Sequence, residues 1–186
     1  HTYGPFVAIY KECLQGLKTI FQADHVVAIG GAGTLSMEMG LVNTVKAGES
    51  VLVITQGYFG ERFVPLAKAL GIVPDVLTAP AGERVPLADI EAKLKQNKYA
   101  AMTLTHVDTS TGVMGQVAEV AALAKKYDTL FILDGVCASA GVPEPMKDLG
   151  IDVVITTSQK AFGTPPGLTI VAFNEKALAR REQMGT

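Results

Sequence analysis

The chain has 186 residues, 48% of them hydrophobic and 18% charged, with a formal net charge of −2. This length suits one domain with a substantial core, and the balance is globular rather than disordered. No basic cluster exceeds Lys125-Lys126 and Arg180-Arg181, and no apolar run approaches the roughly 18 residues of a membrane helix, so neither nucleic acid nor membrane is an expected partner.

Cys13 and Cys137 form no metal or Cys-x-x-Cys spacing and read as reduced thiols of a cytoplasmic protein. The abrupt start His1-Thr2-Tyr3-Gly4-Pro5 and a helix beginning at Glu175 close to the end suggest a segment excised from a longer protein. Residues 6–21 carry apolar side chains at Phe6, Ile9, Tyr10, Cys13, Leu14, Leu17, Ile20 and Phe21, the spacing of an amphipathic helix. A short strand, His25 to Ile29, runs into Gly30-Gly31-Ala32-Gly33-Thr34, and a helix from Leu35 to Val45 opens behind those glycines.

Val51 to Ile54 is a branched strand, followed by a glycine-flanked loop, Gln56-Gly57-Tyr58-Phe59-Gly60, and a helix from Glu61 to Leu70. Val73 to Leu77 reads as a strand, Leu87 to Lys95 as a helix behind Pro86, and Ala100 to Thr105 as the next strand. The polar loop His106-Val107-Asp108-Thr109-Ser110-Thr111-Gly112 precedes a helix from Val117 to Tyr127 and a strand from Leu130 that ends at Asp134. Two last strands, Asp152 to Thr156 and Leu168 to Phe173, are joined by too few residues for a helical crossover and should be antiparallel.

This alternation predicts a three-layer α/β fold, helices on both faces of a mostly parallel mixed sheet. Ligands bind beyond the carboxyl ends of such strands, and the unusual polar loops all fall there. Gly31-Ala32-Gly33-Thr34 at a helix start offers backbone N–H groups to an anion such as phosphate, although plain turn glycines remain an alternative. A dinucleotide fingerprint fails: Ser36 stands at the third glycine position, and no acid ends the next strand. Asp134 is either a turn or cap residue or a partly buried carboxylate facing a cationic ring nitrogen. Phe59 is either core or a stacking face, and Thr109 to Thr111 either stabilise a turn or supply hydroxyls. His106 has no Cys or further His nearby and is no metal site; it could be a structural hydrogen-bonder.

Lys160 leaves a strand through Thr156-Thr157-Ser158-Gln159 and is followed by Gly163-Thr164-Pro165-Pro166-Gly167. Most lysines are surface charges, but one enclosed at a strand end can act as an amine nucleophile toward carbonyl compounds. Phosphate cradle, aromatic face, ring-nitrogen carboxylate, hydroxyls and amine together describe pyridoxal 5′-phosphate.

These stretches also carry a family resemblance. Gly33-Thr34 with Met37-Glu38, Gly57-Tyr58-Phe59-Gly60-Glu61-Arg62, Thr105-His106 with Thr109-Ser110-Thr111-Gly112, Leu133-Asp134, and Ser158-Gln159-Lys160-Ala161 with Pro165-Pro166-Gly167 resemble the large domain of class V aminotransferases of fold type I, nearest the alanine–glyoxylate and serine–pyruvate group. The resemblance implies a Schiff-base role for Lys160 and a ring-nitrogen role for Asp134. It implies stacking by Phe59, where relatives often carry Trp, with Val136 on the other ring face. Gly33, Thr34 and Gln159 would bind phosphate, and Thr109 the ring's 3-oxygen or the lysine imine. It further implies a homodimer that moves an amino group from a small amino acid, alanine or serine, to a keto acid such as glyoxylate or pyruvate.

The small C-terminal domain with its carboxylate-binding arginine is absent from residues 1–186, which therefore read as the large domain alone. Three alternatives stay open: a cysteine desulfurase, disfavoured because Gln159 stands where those enzymes usually carry His; a cofactor-binding fragment without turnover; and a nucleotide-binding domain with a coincidental lysine.

Overall fold

The computed structural model describes residues 3–185. Its elements in chain order are α1 (Gly4–Phe21), β1 (His25–Gly30), α2 (Gly33–Val42), β2 (Ser50–Thr55), α3 (Tyr58–Glu61), α4 (Phe63–Ala69), β3 (Val73–Thr78), α5 (Leu87–Gln96), β4 (Ala101–Thr105), α6 (Val117–Lys126), β5 (Leu130–Asp134), α7 (Met146–Leu149), β6 (Val153–Thr157), β7 (Leu168–Phe173) and α8 (Glu175–Met184). The seven strands form one sheet in the order β1-β7-β6-β5-β4-β2-β3. Strand β7 pairs antiparallel with both β1 and β6, and every other pairing is parallel. The expected antiparallel return between the last two strands is therefore present.

Strands buried on both faces need apolar residues at every position, which is why β2 reads Val51-Leu52-Val53-Ile54 without alternation. Successive side chains point to opposite faces. Leu52 and Ile54 join a core with Leu17 and Phe21 of α1, Ile90 of α5 and Val120 of α6, whereas Val51 and Val53 join another with Leu41 of α2, Phe63 of α4 and Ala177 of α8. These are the two helical layers that the alternating pattern predicts.

Three local details differ from expectation. Tyr58–Glu61 is a one-turn helix rather than a loop, and Arg62 separates it from α4. Helix α2 begins at Gly33, two residues earlier than the apolar pattern suggests, which brings Gly33 and Thr34 into its first turn. Helix α1 buries Leu17 and Phe21 but leaves Phe6, Ile9 and Ile20 exposed, because it packs on β1, the edge strand of the sheet.

The β6–β7 connection is fixed by its own hydrogen bonds. Ser158 Oγ donates to the Pro165 carbonyl (2.7 Å), and Thr164 Oγ1 donates to the Ser158 carbonyl (2.8 Å). Gly167 has φ of 131°, a conformation open to glycine, and lets the chain reverse into β7. The lysine loop thus leaves the end of β6 and is folded back on itself before the sheet resumes.

Asp152 locks this region from below. Its buried carboxylate accepts the Phe131 N–H of β5 (2.9 Å) and the Asn174 side-chain amide (2.8 Å), while Asn174 caps α8 by accepting the Ala177 N–H. Asp152→Ala leaves the Phe131 N–H without its partner and should cost about 1–3 kcal/mol, read as a lower urea midpoint with unchanged slope.

Candidate active site

The carboxyl ends of the parallel strands share one sheet edge, and the polar loops emerge along it. Three sets of contacts join them. First, a Cβ built on Gly33 would lie 3.2 Å from a Val136 methyl and 3.7 Å from the Thr157 methyl, so the start of α2 sits against the loops after β5 and β6. Second, Thr105 Oγ1 at the end of β4 approaches Asp134 Oδ2 at 3.4 Å, and the His106 N–H donates to the Asp134 carbonyl at 2.9 Å. Third, the Asp108 carboxylate bridges the loops after β2 and β4.

That bridge went unrecognised in the sequence. Asp108 is fully buried; its Oδ2 accepts the N–H groups of Phe59 and Gly60, both at 3.0 Å, and its Oδ1 accepts the Ser110 N–H (2.9 Å) and hydroxyl (2.6 Å). These bonds satisfy the first N–H groups of α3, which is why a glycine-flanked stretch becomes helical. Gly57 is needed for the approach, since a Cβ there would lie 2.6 Å from the Asp108 carboxylate. One carboxylate thereby positions both Phe59 and the Thr109 loop.

Asp134 has the most perturbed electrostatics at this edge. It is buried, and its pKa is pushed up to about 7, first by burial and further by the Glu144 and Asp108 carboxylates. The Val136 N–H, donated at 3.0 Å, and the Thr105 hydroxyl pull it the other way without prevailing. No cation of this chain pairs with it among the described residues. A carboxylate in this position favours a ligand that brings a positive charge to it.

His106 is the structural hydrogen-bonder of the sequence reading. Its Nδ1 lies 2.6 Å from Glu144 Oε1, and Ser139 Oγ donates to Glu144 Oε2 at 2.5 Å, a buried group behind Asp134. Glu144 carried no sequence signal, because its partner lies in another loop. Of the remaining candidates, Phe59 and Val136 are half-buried, and Thr34, Thr109, Gln159 and Lys160 are exposed. Gln159 Oε1 accepts the Thr157 hydroxyl at 2.7 Å. The Lys160 amine makes no hydrogen bond or ion pair among the described residues, and its side chain is exposed, so the expected enclosure is not present within residues 3–185.

The strand-end row thus brings a helix start, a buried carboxylate, an aromatic ring and an exposed lysine to one edge of an α/β domain. Residues 1–185 match the model of the aminotransferase class-V family, and the chain belongs to that family. It is 32% identical over 182 residues to the alanine–glyoxylate aminotransferase of Rattus norvegicus, covering 97% of this chain and 44% of the relative. Among solved structures it is similar to an alanine–glyoxylate aminotransferase from Nostoc sp. (TM-score 0.94, 30% identity, 99% of this chain and 49% of that one). It is also similar to an aspartate aminotransferase from Thermus thermophilus (TM-score 0.88, 31% identity, 96% and 51%). The chain spans about half the length of the relatives it matches. These neighbours share the three-layer mixed sheet of fold type I. Among the described residues no helix is long and apolar enough to cross a membrane, and no cluster of ligating side chains could hold a metal ion.

Two predictions follow from the buried carboxylates. Asp108→Ala strands the Phe59, Gly60 and Ser110 donors and should lower stability by about 2–4 kcal/mol in a denaturant titration. For Asp134 the folded pKa of about 7 exceeds the unfolded value of 3.8. Between these values the native state holds a proton that the unfolded chain has released. The residue's contribution to stability is therefore complete below pH about 4 and is lost as pH rises through about 7, on the order of 4 kcal/mol in all. Asp134→Asn should accordingly raise the melting temperature of the cofactor-free protein at pH 8 and leave it nearly unchanged at pH 4; equal shifts at both values would refute the assignment.

Proposed function

We propose that the parent protein is a pyridoxal-phosphate-dependent aminotransferase and that this chain is its cofactor-binding domain. The observation that carries the reading is Asp134, a buried carboxylate at the end of β5 with a pKa pushed up to about 7, lying in the same strand-end row as Lys160 and the start of α2. The residues present fit the cofactor. At Gly33 a side chain would crowd Val136 within 3.2 Å, so the glycine keeps the anion cradle open, and the Asp134 carboxylate lacks a cation that a protonated pyridine nitrogen would supply.

When bound, pyridoxal phosphate supplies an aldehyde that condenses with amines and an electron-poor ring that takes up carbanion charge. Gly33, Thr34 and Gln159 would hold its phosphate, Phe59 and Val136 would pack on the two ring faces, and Thr109 would contact the ring's 3-oxygen or the lysine imine. Asp134 keeps the proton on the ring nitrogen. Lys160 would be the amine that holds the cofactor's aldehyde carbon, and its free amine would be the base for the substrate's α proton.

The names of the relatives support alanine as amino donor and glyoxylate as acceptor, while serine and pyruvate rest on the family resemblance of the sequence alone. The aspartate aminotransferase of similar identity shows how far the family varies in donor, and the group that binds the substrate carboxylate lies in this reading outside residues 1–186. Gln159 in place of a histidine disfavours desulfurase chemistry. The exposed apolar side of α1, with Phe6 and Ile9, supports a homodimer, and two free cysteines suit a reducing cytoplasm.

In the full-length protein, Lys160→Ala should abolish the cofactor's absorbance near the visible edge and lower transamination by ~10²–10⁴-fold. An unchanged spectrum in that variant would sink the assignment. Incubation of the same protein with cysteine should release no sulfide above background, whereas turnover to sulfide would favour the desulfurase reading.

A further inference from the structure

The anion cradle contains a charge that its local electrostatics do not explain. The N–H groups of Ala32, Gly33 and Thr34 have no acceptor among the described residues, and the positive end of the α2 dipole lies at the same place. A second positive charge there is unfavourable. Yet Arg62 Nη2 donates to Thr34 Oγ1 at 2.7 Å, and Arg62 forms no ion pair among the described residues. Of the other half-buried arginines, Arg180 bonds the Glu49 carboxylate and the Thr44 carbonyl, and Arg181 bonds the neutral Asn43 Oδ1 and Gly185 carbonyl at the negative, C-terminal end of α8.

The position of Arg62 is set by its backbone. It closes α3 and opens α4, and its N–H donates to the Phe59 carbonyl at 3.3 Å. The turn that presents Phe59 therefore also presents the guanidinium, and Asp108 anchors that turn. By accepting from Arg62, the Thr34 hydroxyl keeps its own proton for another acceptor, and the contact strengthens it as a donor. A dianion at the start of α2 would meet free N–H groups, a polarised hydroxyl and a guanidinium suited to phosphate oxygens.

We propose that Arg62 is a recognition residue for the phosphate of the cofactor, acting through Thr34 and through its own charge, and that it sets the preference for phosphorylated over unphosphorylated pyridoxal. This rests on the pyridoxal-phosphate reading. The plain alternative is that the Arg62–Thr34 bond only tethers α4 to α2.

Selectivity separates the two. Full-length wild type, Arg62→Gln, Arg62→Lys and Thr34→Val are titrated with pyridoxal phosphate and, separately, with pyridoxal, following the Lys160-dependent absorbance. Arg62→Gln is expected to weaken pyridoxal phosphate by ~10–100-fold while pyridoxal changes by less than about twofold, with Arg62→Lys recovering much of the difference. Thr34→Val should lose part of the same preference through its own hydroxyl, and if Arg62→Gln does not fold, Arg62→Met, which keeps the apolar stem and removes the charge, is titrated in its place and decides the question. Parallel losses for both ligands, or no loss for either, would overturn the role of Arg62 while leaving the cofactor reading intact. A wild-type protein that takes up neither ligand, or takes them up equally well after Lys160→Ala, would overturn both.

Discussion

The structure depends most on a buried carboxylate that its own chain leaves without a cation. Asp134 ends β5 in the middle of the sheet, with β4 on one side and β6 on the other, so water reaches it poorly. Two donors stabilise its ionised form, the Val136 N–H and the Thr105 hydroxyl, but burial and the nearby carboxylates of Glu144 and Asp108 outweigh them. A fold selected for stability alone would place a neutral side chain there. Retaining an acid is intelligible when a ligand brings the missing positive charge, and the stability lost in its absence is then regained on binding.

The topology decides what can reach that acid. Parallel strands deliver the loops after β2, β4, β5 and β6 to one edge, each connected by a helix that returns the chain to the opposite edge. Strand β7 is the exception. Running antiparallel between β1 and β6, it lets the lysine loop turn back at the functional edge instead of crossing behind the sheet. The same strand sets the base of the cradle, because Thr169 Oγ1 donates to the Ala32 carbonyl at 2.8 Å and the Gly31 N–H donates to the Gly167 carbonyl at 2.9 Å. Lysine loop and anion cradle are thus fixed to a single reversal of the chain.

Much of this was legible in the sequence, and the remainder fails for definable reasons. Strands such as Val51-Leu52-Val53-Ile54 announce themselves because burial on both faces demands continuous apolar residues, and strand ends then locate Gly33, Phe59, Asp134 and Lys160. What stayed hidden were bonds between loops distant in sequence. Asp108 looked like one polar residue in a polar loop, yet it caps a helix that local propensity alone would not form. Glu144, in a proline-flanked segment, gave no hint of its bond to His106. The exposure of Lys160 was also illegible, because enclosure is a property of what packs over a loop and not of the loop's own residues.

Besides Lys160, two ionisable groups of opposite kind stand at the functional edge without a charged partner among the described residues. Asp134 is an acid without a cation, and Arg62 is a cation set at the positive end of a helix. Gly33 joins their surroundings, since it lies against Val136, two residues beyond Asp134, while the next residue, Thr34, holds the guanidinium. Either charge alone admits a local structural explanation, such as a turn carboxylate or a helix tether. Together they define a ligand with a cationic end and an anionic end joined by a flat body that Phe59 can face. A dinucleotide meets the anionic requirement, but the pyridinium nitrogen of its oxidised form is bonded to ribose and has no N–H to donate to a buried acid. In the proposed reading pyridoxal phosphate, with a protonated ring nitrogen and a phosphate dianion, would satisfy both groups at once, and for that reason the pair would discriminate between ligands better than either residue does.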